Sequence, residues 1–221
     1  MYNNIGVQYL VPLYNNDTTE KYRYDSFNEI KNYDNVNCIF CSQLDLTSLP
    51  KLPKVLEWLF CYHNQLKKLP ILPNVLISLC CNNNKLTKLP KLPNLLQRLD
   101  CEYNQLISLP QLPTGLQKLN CSYNQLISLP KLPMGLQQLS CQYNGLKLLP
   151  QLPMELQQLD CSNNKLNSLP KLPNSLQELY CWNNKLSVLP ELPNSLQLLK
   201  CSYNQLIKKI KYSYLQNIIY L

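Results

Sequence analysis

Shifted along itself by twenty residues, the chain falls into register with itself from residue 36 to residue 206. Eight blocks read L-x-x-L-x-C-x-x-N-x-L-x-x-(L/I)-P-x-L-P, the last of them truncated. The clearest block runs from Leu96 and Leu99 through Cys101, Asn104 and Leu106 to Leu109-Pro110 and Leu112-Pro113. A ninth, degenerate copy precedes them through Val36, Ile39, Cys41, Leu44 and Leu46, with Leu44 where Asn is expected. One such unit cannot bury both of its faces. The copies must therefore stack, and stability comes from contacts between neighbours.

Each position of the unit has a physical reading. The L-x-x-L-x-C segment is predicted to be a short strand with Leu99 and Cys101 on one face, because successive side chains alternate. Stacked copies pair these strands into a parallel sheet; nine of them at about 4.8 Å spacing give a sheet roughly 40 Å long. The Asn column, Asn64 to Asn204, is predicted to point inward and bond the backbone of its own and adjacent turns. Left unpaired, such buried groups cost roughly 1–3 kcal/mol each. Sixteen of the 17 Pro fall in two columns three residues apart, Pro50 to Pro190 and Pro53 to Pro193. That spacing favours a polyproline II return with the Leu before each Pro on one face, and too few residues remain for a convex helix.

The expected architecture is an α/β-class repeat fold, mostly β, in which a parallel concave sheet is backed by extended, polyproline-II-like convex returns. Residues 1–35 form an N-terminal cap, 36–206 the solenoid of about nine repeats, and 207–221 a C-terminal cap or tail. Asp17-Thr-Thr-Glu20 reads as a capping box, so a short helix is expected within 17–34.

The L-P-x-L-P-x-x-L-x-x-L-x-x-x-x-N-x-L unit resembles the short leucine-rich repeats of bacterial type III effectors of the YopM and IpaH kind. With Cys in the strand and an Asn/Lys/Tyr-rich filler, it is also similar to the leucine-rich-repeat proteins of mimivirus-like giant viruses. The resemblance covers residues 36–206 and implies a curved solenoid that recognises proteins, often host proteins. The chain has no Ala beside plentiful Asn, Lys, Ile and Tyr, which points to an AT-rich coding genome. The ligase members of the effector group carry a large catalytic domain with a reactive Cys after the repeats. Here about fifteen residues follow the last coil, and residues 1–35 hold no F-box-like segment, so ligase or adaptor activity has no visible support.

Eleven Cys would mark a disulfide framework in a short secreted chain. The start, MYNNIGVQYLVPLYNN, lacks a basic n-region and an apolar run, and no stretch approaches the roughly 18 apolar residues of a membrane span. A cytoplasmic setting with no membrane association is expected, within the host cell if the chain is viral. The column from Cys61 to Cys201 stands where Leu usually does and reads as small hydrophobes; a metal ladder would need about four converging ligands. Cys38 and Cys80 fall outside it, and Cys80 is predicted to face the concave surface as the most reactive thiol. His63, the single histidine, sits in a column of Asn and Tyr with no base–orienter–nucleophile set around it. No Gly-rich phosphate loop is present. The expectation is no enzyme, no catalytic residue, no metal and no cofactor.

The variable positions carry the functional reading. Between Leu and Cys of each strand the residues run Phe60, Cys80, Asp100, Asn120, Ser140, Asp160, Tyr180 and Lys200; after Cys they run Tyr62, Asn82, Glu102, Ser122, Gln142, Ser162, Trp182 and Ser202. Trp58, Phe60, Tyr62 and His63 form one aromatic patch; Tyr180, Trp182 and Tyr203 form another. Arg98, Asp100, Glu102 and Lys118 make a mixed-charge centre between them. These eleven residues are the candidate protein-binding surface of a monomeric interaction module, given the enrichment of Trp, Tyr and Arg at hot spots. The net charge is +8, which raises a nucleic-acid or anionic-surface partner as the rival. The outward strand columns hold Arg98, Lys118 and Lys200 against Asp100, Glu102, Asp160 and Glu178. Phosphate binding wants a continuous basic track, which that face lacks, so the convex lysines read as a solvating face and nucleic acid is not the expected partner.

Overall fold

In the computed structural model, residues 9–12, 21–24, 27, 30 and 32–207 are described. Each coil contributes one three-residue strand centred on its second Leu: β3 (Cys38–Phe40), β4 (Trp58–Phe60), β5 (Ser78–Cys80), β6 (Arg98–Asp100), β7 (Lys118–Asn120), β8 (Gln138–Ser140), β9 (Gln158–Asp160), β10 (Glu178–Tyr180) and β11 (Leu198–Lys200). These nine pair in parallel and in strict register, so that Leu59, Leu79, Leu99 and Leu119 stand in one row. β1 (Tyr9–Pro12) and β2 (Lys21–Tyr24) form an antiparallel hairpin that adds to the free edge of β3, with Leu10 opposite Phe40. The mostly-β character expected from the repeat holds, and among the described residues helix is confined to 3-10 turns at Phe27 and Tyr33–Asn35.

The short helix expected within 17–34 appears among the described residues only as 3-10 turns at Phe27 and at Tyr33–Asn35, behind a strand. Lys21–Tyr24 is a strand; residues 17–20, the capping box itself, lie outside the described residues. A sheet edge at β3 offers unpaired N–H and C=O groups, and pairing them outweighs a weak local helix signal. The C-terminal cap also lies beyond the described residues, apart from Ile207.

The return half explains the prolines. The Leu before each Pro is buried, as at Leu89 and Leu92, or half-buried against the core, as at Leu129 and Leu149, and the segment carries no strand or helix. A β-turn closes it, Leu96 N–H donating to Pro93 O at 3.2 Å. Leu96, Leu99, Cys101 and Leu106 are at most 1% exposed. The core is thus one continuous column of Leu and Cys, each Leu contributing about 1.5–3 kcal/mol of transfer free energy.

The Asn column works as anticipated. Asn104 Nδ2 donates to Cys81 O at 3.0 Å in the preceding coil and to Cys101 O at 3.1 Å in its own, while Leu86 N–H donates to Asn104 Oδ1 at 2.9 Å. In the degenerate first coil, Asn64 alone accepts from both Leu44 and Leu46 N–H, at 3.1 and 3.0 Å. One framework Asn therefore covers for the missing one.

Candidate functional site

The concave face is built from residues on either side of each central Leu, since residues two apart along a strand share a face. Trp58 and Phe60 flank Leu59 on β4, and Phe60 stacks on Phe40 of the neighbouring strand with centroids 4.4 Å apart and planes 2° apart. Tyr62 and His63 follow in an edge-to-face pair at 5.8 Å. At this end of the face the rings thus pair as Phe40 with Phe60 and Tyr62 with His63, and Trp58 lies on the same strand as Phe60.

In the centre, Arg98 and Lys118 are exposed neighbours on β6 and β7. Glu102 Oε2 accepts from Asn120 Nδ2 at 2.9 Å. Asp100 and Asp160 accept from the backbone N–H of Glu102 and Ser162, at 3.3 and 3.0 Å. Burial pushes both aspartates up from the ordinary carboxylate range, an effect those N–H bonds and the charges of Arg98 and Lys200 oppose. Burial raises Glu102 as well, against the bond from Asn120. Partly desolvated carboxylates of this kind are poised to gain from a partner's donors.

The C-terminal patch is arranged differently from the expectation. Tyr180 donates to Glu178 Oε2 at 3.2 Å and lies under Lys200 Nζ, 5.5 Å from the ring centroid. Trp182 turns away from Tyr203 and meets Tyr143 edge-on at 6.4 Å, with planes at 83°. Tyr203 is 74% exposed, and among the described residues no ring pairing joins it to Tyr180 or Trp182. Sequence spacing could not show that the tryptophan reaches back across two coils, over the short Asn163 and Ser162.

Three outward residues prove to be covered. Cys80, expected as the reactive thiol, is 5% exposed between Phe60 and Asp100, and burial raises its thiol. Ser122 and Ser162 are fully buried; the Ser162 hydroxyl donates to Asp160 Oδ1 at 2.7 Å, whereas that of Ser122 has no partner. At strand spacing a short side chain between two long ones is roofed over, so an outward column is not uniformly an exposed one.

The feature the sequence reading missed lies one residue further on. Gln43, His63, Asn83, Tyr103, Tyr123, Tyr143, Asn163, Asn183 and Tyr203 form a single column with φ between 48° and 60°. The left-handed region costs most non-glycine residues about 1–2 kcal/mol, and Asn less. Three tyrosines in successive coils stack there: Tyr103 on Tyr123 at 4.0 Å and 13°, Tyr123 on Tyr143 at 4.3 Å and 16°. With Trp182 they make an aromatic ladder along the rim of the concave sheet. The Tyr103 hydroxyl, then desolvation, holds the Tyr123 phenol neutral well above its usual range. The signal was present in sequence as Tyr before the framework Asn in three consecutive repeats.

Among the described residues no group of three or more His, Cys, Asp or Glu converges on a common point, and no helix is long and apolar enough to cross a membrane. The cysteine column is free thiol throughout, with Cys101, Cys121 and Cys161 donating weakly to the carbonyls of Asn120, Ser140 and Tyr180.

No protein-family model matches the chain, and no curated protein matches it in sequence. Solved structures do. YopM, a leucine-rich effector protein of Yersinia pestis, superposes with a TM-score of 0.75 at 34% identity over 82% of this chain and 59% of its own. The functional domain of InlJ from Listeria monocytogenes, which includes a cysteine ladder, gives 0.72 at 28% identity over 85% and 43%. A Shigella effector leucine-rich-repeat domain gives 0.60 at 31% identity over 77% of this chain and 71% of that domain. The chain spans little more than half the length of YopM. Its coil, its inward Asn and Cys columns and this likeness over nearly all of the repeat region agree: the chain belongs to the leucine-rich-repeat family.

Proposed function

We propose that the chain is a protein-interaction module that takes a protein partner on the concave sheet and along its aromatic rim. The observation that carries this reading is the occupancy of the left-handed column. Asn83, Asn163 and Asn183 adopt the same backbone conformation as Tyr103, Tyr123 and Tyr143, so the fold does not require tyrosine there. Large aromatics at positions where Asn suffices are what hot spots are made of. Beside them stand the half-desolvated Asp100, Glu102 and Asp160, with Arg98 and Lys118 exposed for pairing.

The effector relatives from Yersinia and Shigella support a host protein as partner and the host cytoplasm as its setting. The strand cysteine and Asn/Lys/Tyr filler support a giant-virus origin. A photo-crosslinking phenylalanine analogue at Tyr143, compared with one at Ser168 on the convex side, tests the reading in a cell extract. A discrete protein adduct from position 143 and none from 168 supports it; equal adducts from both positions, or none from 143, contradict it.

A further inference from the structure

Three returns of the convex face depart from the other five. Two residues after the second proline, the later returns carry Gly115, Gly135, Glu155, Ser175 and Ser195. The serines there serve the fold: Ser175 Oγ donates to Met154 O and Leu156 O, and Ser195 Oγ to Leu176 O, all at 2.7 Å. The first three returns instead carry Val55, Val75 and Leu95, which stay 43, 36 and 56% exposed. Between the prolines, Ile71 is 89% exposed at a position that Lys, Gln or Glu fills in every other coil. These aliphatic side chains gain little burial on folding and displace residues that would bond or solvate the surface.

They surround a depression. A hollow of about 840 Å³ is lined by Lys51, Leu52, Lys54, Ile71, Leu72 and Val75 among others. An adjoining one of about 480 Å³ shares Ile71, Leu72 and Asn74 with it and continues to Lys91, Leu92 and Asn94. Each is within the size range of ligand sites, roughly 300–1,000 Å³, and their shared residues join them into one shallow groove across three returns. The same returns (47–56, 67–76 and 87–96) carry six Lys and no Asp or Glu, whereas the five that follow carry three Lys and two Glu. An apolar floor and a purely cationic surround therefore coincide in space.

We propose that this groove docks an acidic segment of a partner protein that presents at least one large apolar side chain. The apolar side chain settles beside Ile71 and Val75, where it removes their exposed surface from water. The Asn74 and Asn94 amides offer donors and acceptors to the segment's backbone, and Lys51, Lys54 and Lys91 meet its carboxylates. A nucleic acid would engage the lysines but leave the apolar floor unused. The groove lies on the opposite side of the coil from the concave sheet, so this inference stands independently of the proposal for that face.

The test is fluorescence anisotropy of the full chain with an acetylated, amidated peptide Glu-Asp-Leu-Glu-Phe-Asp-Glu, against a control with Ser in place of Leu and Phe. The expected result is saturable binding of the first peptide, at least tenfold weaker for the control and for each of Ile71→Glu and Lys51→Glu/Lys54→Glu. Both variants alter exposed residues and keep the wild-type thermal transition. Absence of binding to the wild-type chain overturns the proposal. So does equal binding of the control peptide, which would leave only lysine electrostatics, or an unchanged affinity in the Ile71 variant. Flotation with vesicles of phosphatidylcholine and phosphatidylserine by a wild-type chain that ignores the peptide would assign the surface to a membrane instead.

Discussion

The side-chain amide nitrogen of Asn84 donates to the backbone carbonyl of Cys61, one full coil back, at 3.0 Å. The same amide oxygen accepts from Leu66 N–H of that coil at 3.0 Å. Each framework Asn is thus a clamp between neighbours, and coupling along the solenoid runs through hydrogen bonds as well as through leucine packing.

Replacing one clamp should therefore break more than its own coil. In Asn104→Ala, the N–H of Leu86 loses its partner, while the carbonyls of Cys81 and Cys101 each lose one of two bonds and keep those from Asn84 and Asn124. At roughly 1–3 kcal/mol for a buried unsatisfied group, a loss of about 1–3 kcal/mol is expected. Because stability is transmitted between nearest neighbours, urea unfolding should show a broadened or split transition. A single transition displaced by under about 0.5 kcal/mol, the scale of an ordinary surface substitution, would contradict the clamp.

The left-handed column allows one substitution to have opposite signs at two sites. Tyr203, with φ 53° and no stacked ring among the described residues, should gain about 1 kcal/mol on Tyr203→Gly as backbone strain is relieved. Tyr123 has the same strain but stacks on both sides, and two aromatic pairs at about 0.5–1.5 kcal/mol each outweigh the relief. Tyr123→Gly is expected to destabilise. Paired thermal melts decide the matter, and destabilisation in both variants would remove the distinction.

Much of this molecule was legible in its sequence because the repeat compares each position with eight copies of itself. The strand, the inward Asn clamp, the extended proline return and the buried cysteines each follow from one column and one physical reason. What could not be read were relations that cross columns. Cys80 is roofed by Phe60 and Asp100, and Trp182 bridges to Tyr143 only because the intervening residues are short. The N-terminal hairpin was missed because its partner is the edge of β3, which local propensity does not encode. The left-handed turn was hidden because Asn, Tyr and His fill it in place of the glycine that usually marks such a backbone.

Asp100 should trade stability for binding. Its folded-state carboxyl is raised by burial, so its contribution is fully favourable below the unfolded value of about 3.9 and falls away as pH rises through the folded value. Asp100→Asn keeps the acceptor for Glu102 N–H, as Asn120 does for Ser122 at 3.2 Å. The variant should be more stable at pH 7 by up to about 1 kcal/mol, allowing for solvent screening, with the gain vanishing in acid. Its partner affinity should fall. A pH series of melts in which the variant is less stable at pH 7 would contradict the burial of this charge.

The thiols should behave as core atoms. All eleven cysteines are buried, and burial raises the Cys38 and Cys121 thiols to about 12. Ellman's reagent at pH 8 should label none of them, Cys80 included, until the chain unfolds. Below the unfolded thiol value of about 8.5, stability is complete; above it the unfolded chain releases protons that the fold retains, so stability falls as pH climbs toward 12. Rapid labelling of even one native thiol would contradict this.

The most direct test of the central claim is affinity capture from a cell extract with the wild-type chain and a Trp58→Ala/Trp182→Ala variant, at low and high salt. Matched thermal transitions would show that both chains are folded. The expected result is a defined protein that stays bound to the wild-type chain at high salt and is lost from the variant. Recovery of only nucleic acid or other anionic material, released by salt and indifferent to the two tryptophans, would contradict a concave protein-binding site.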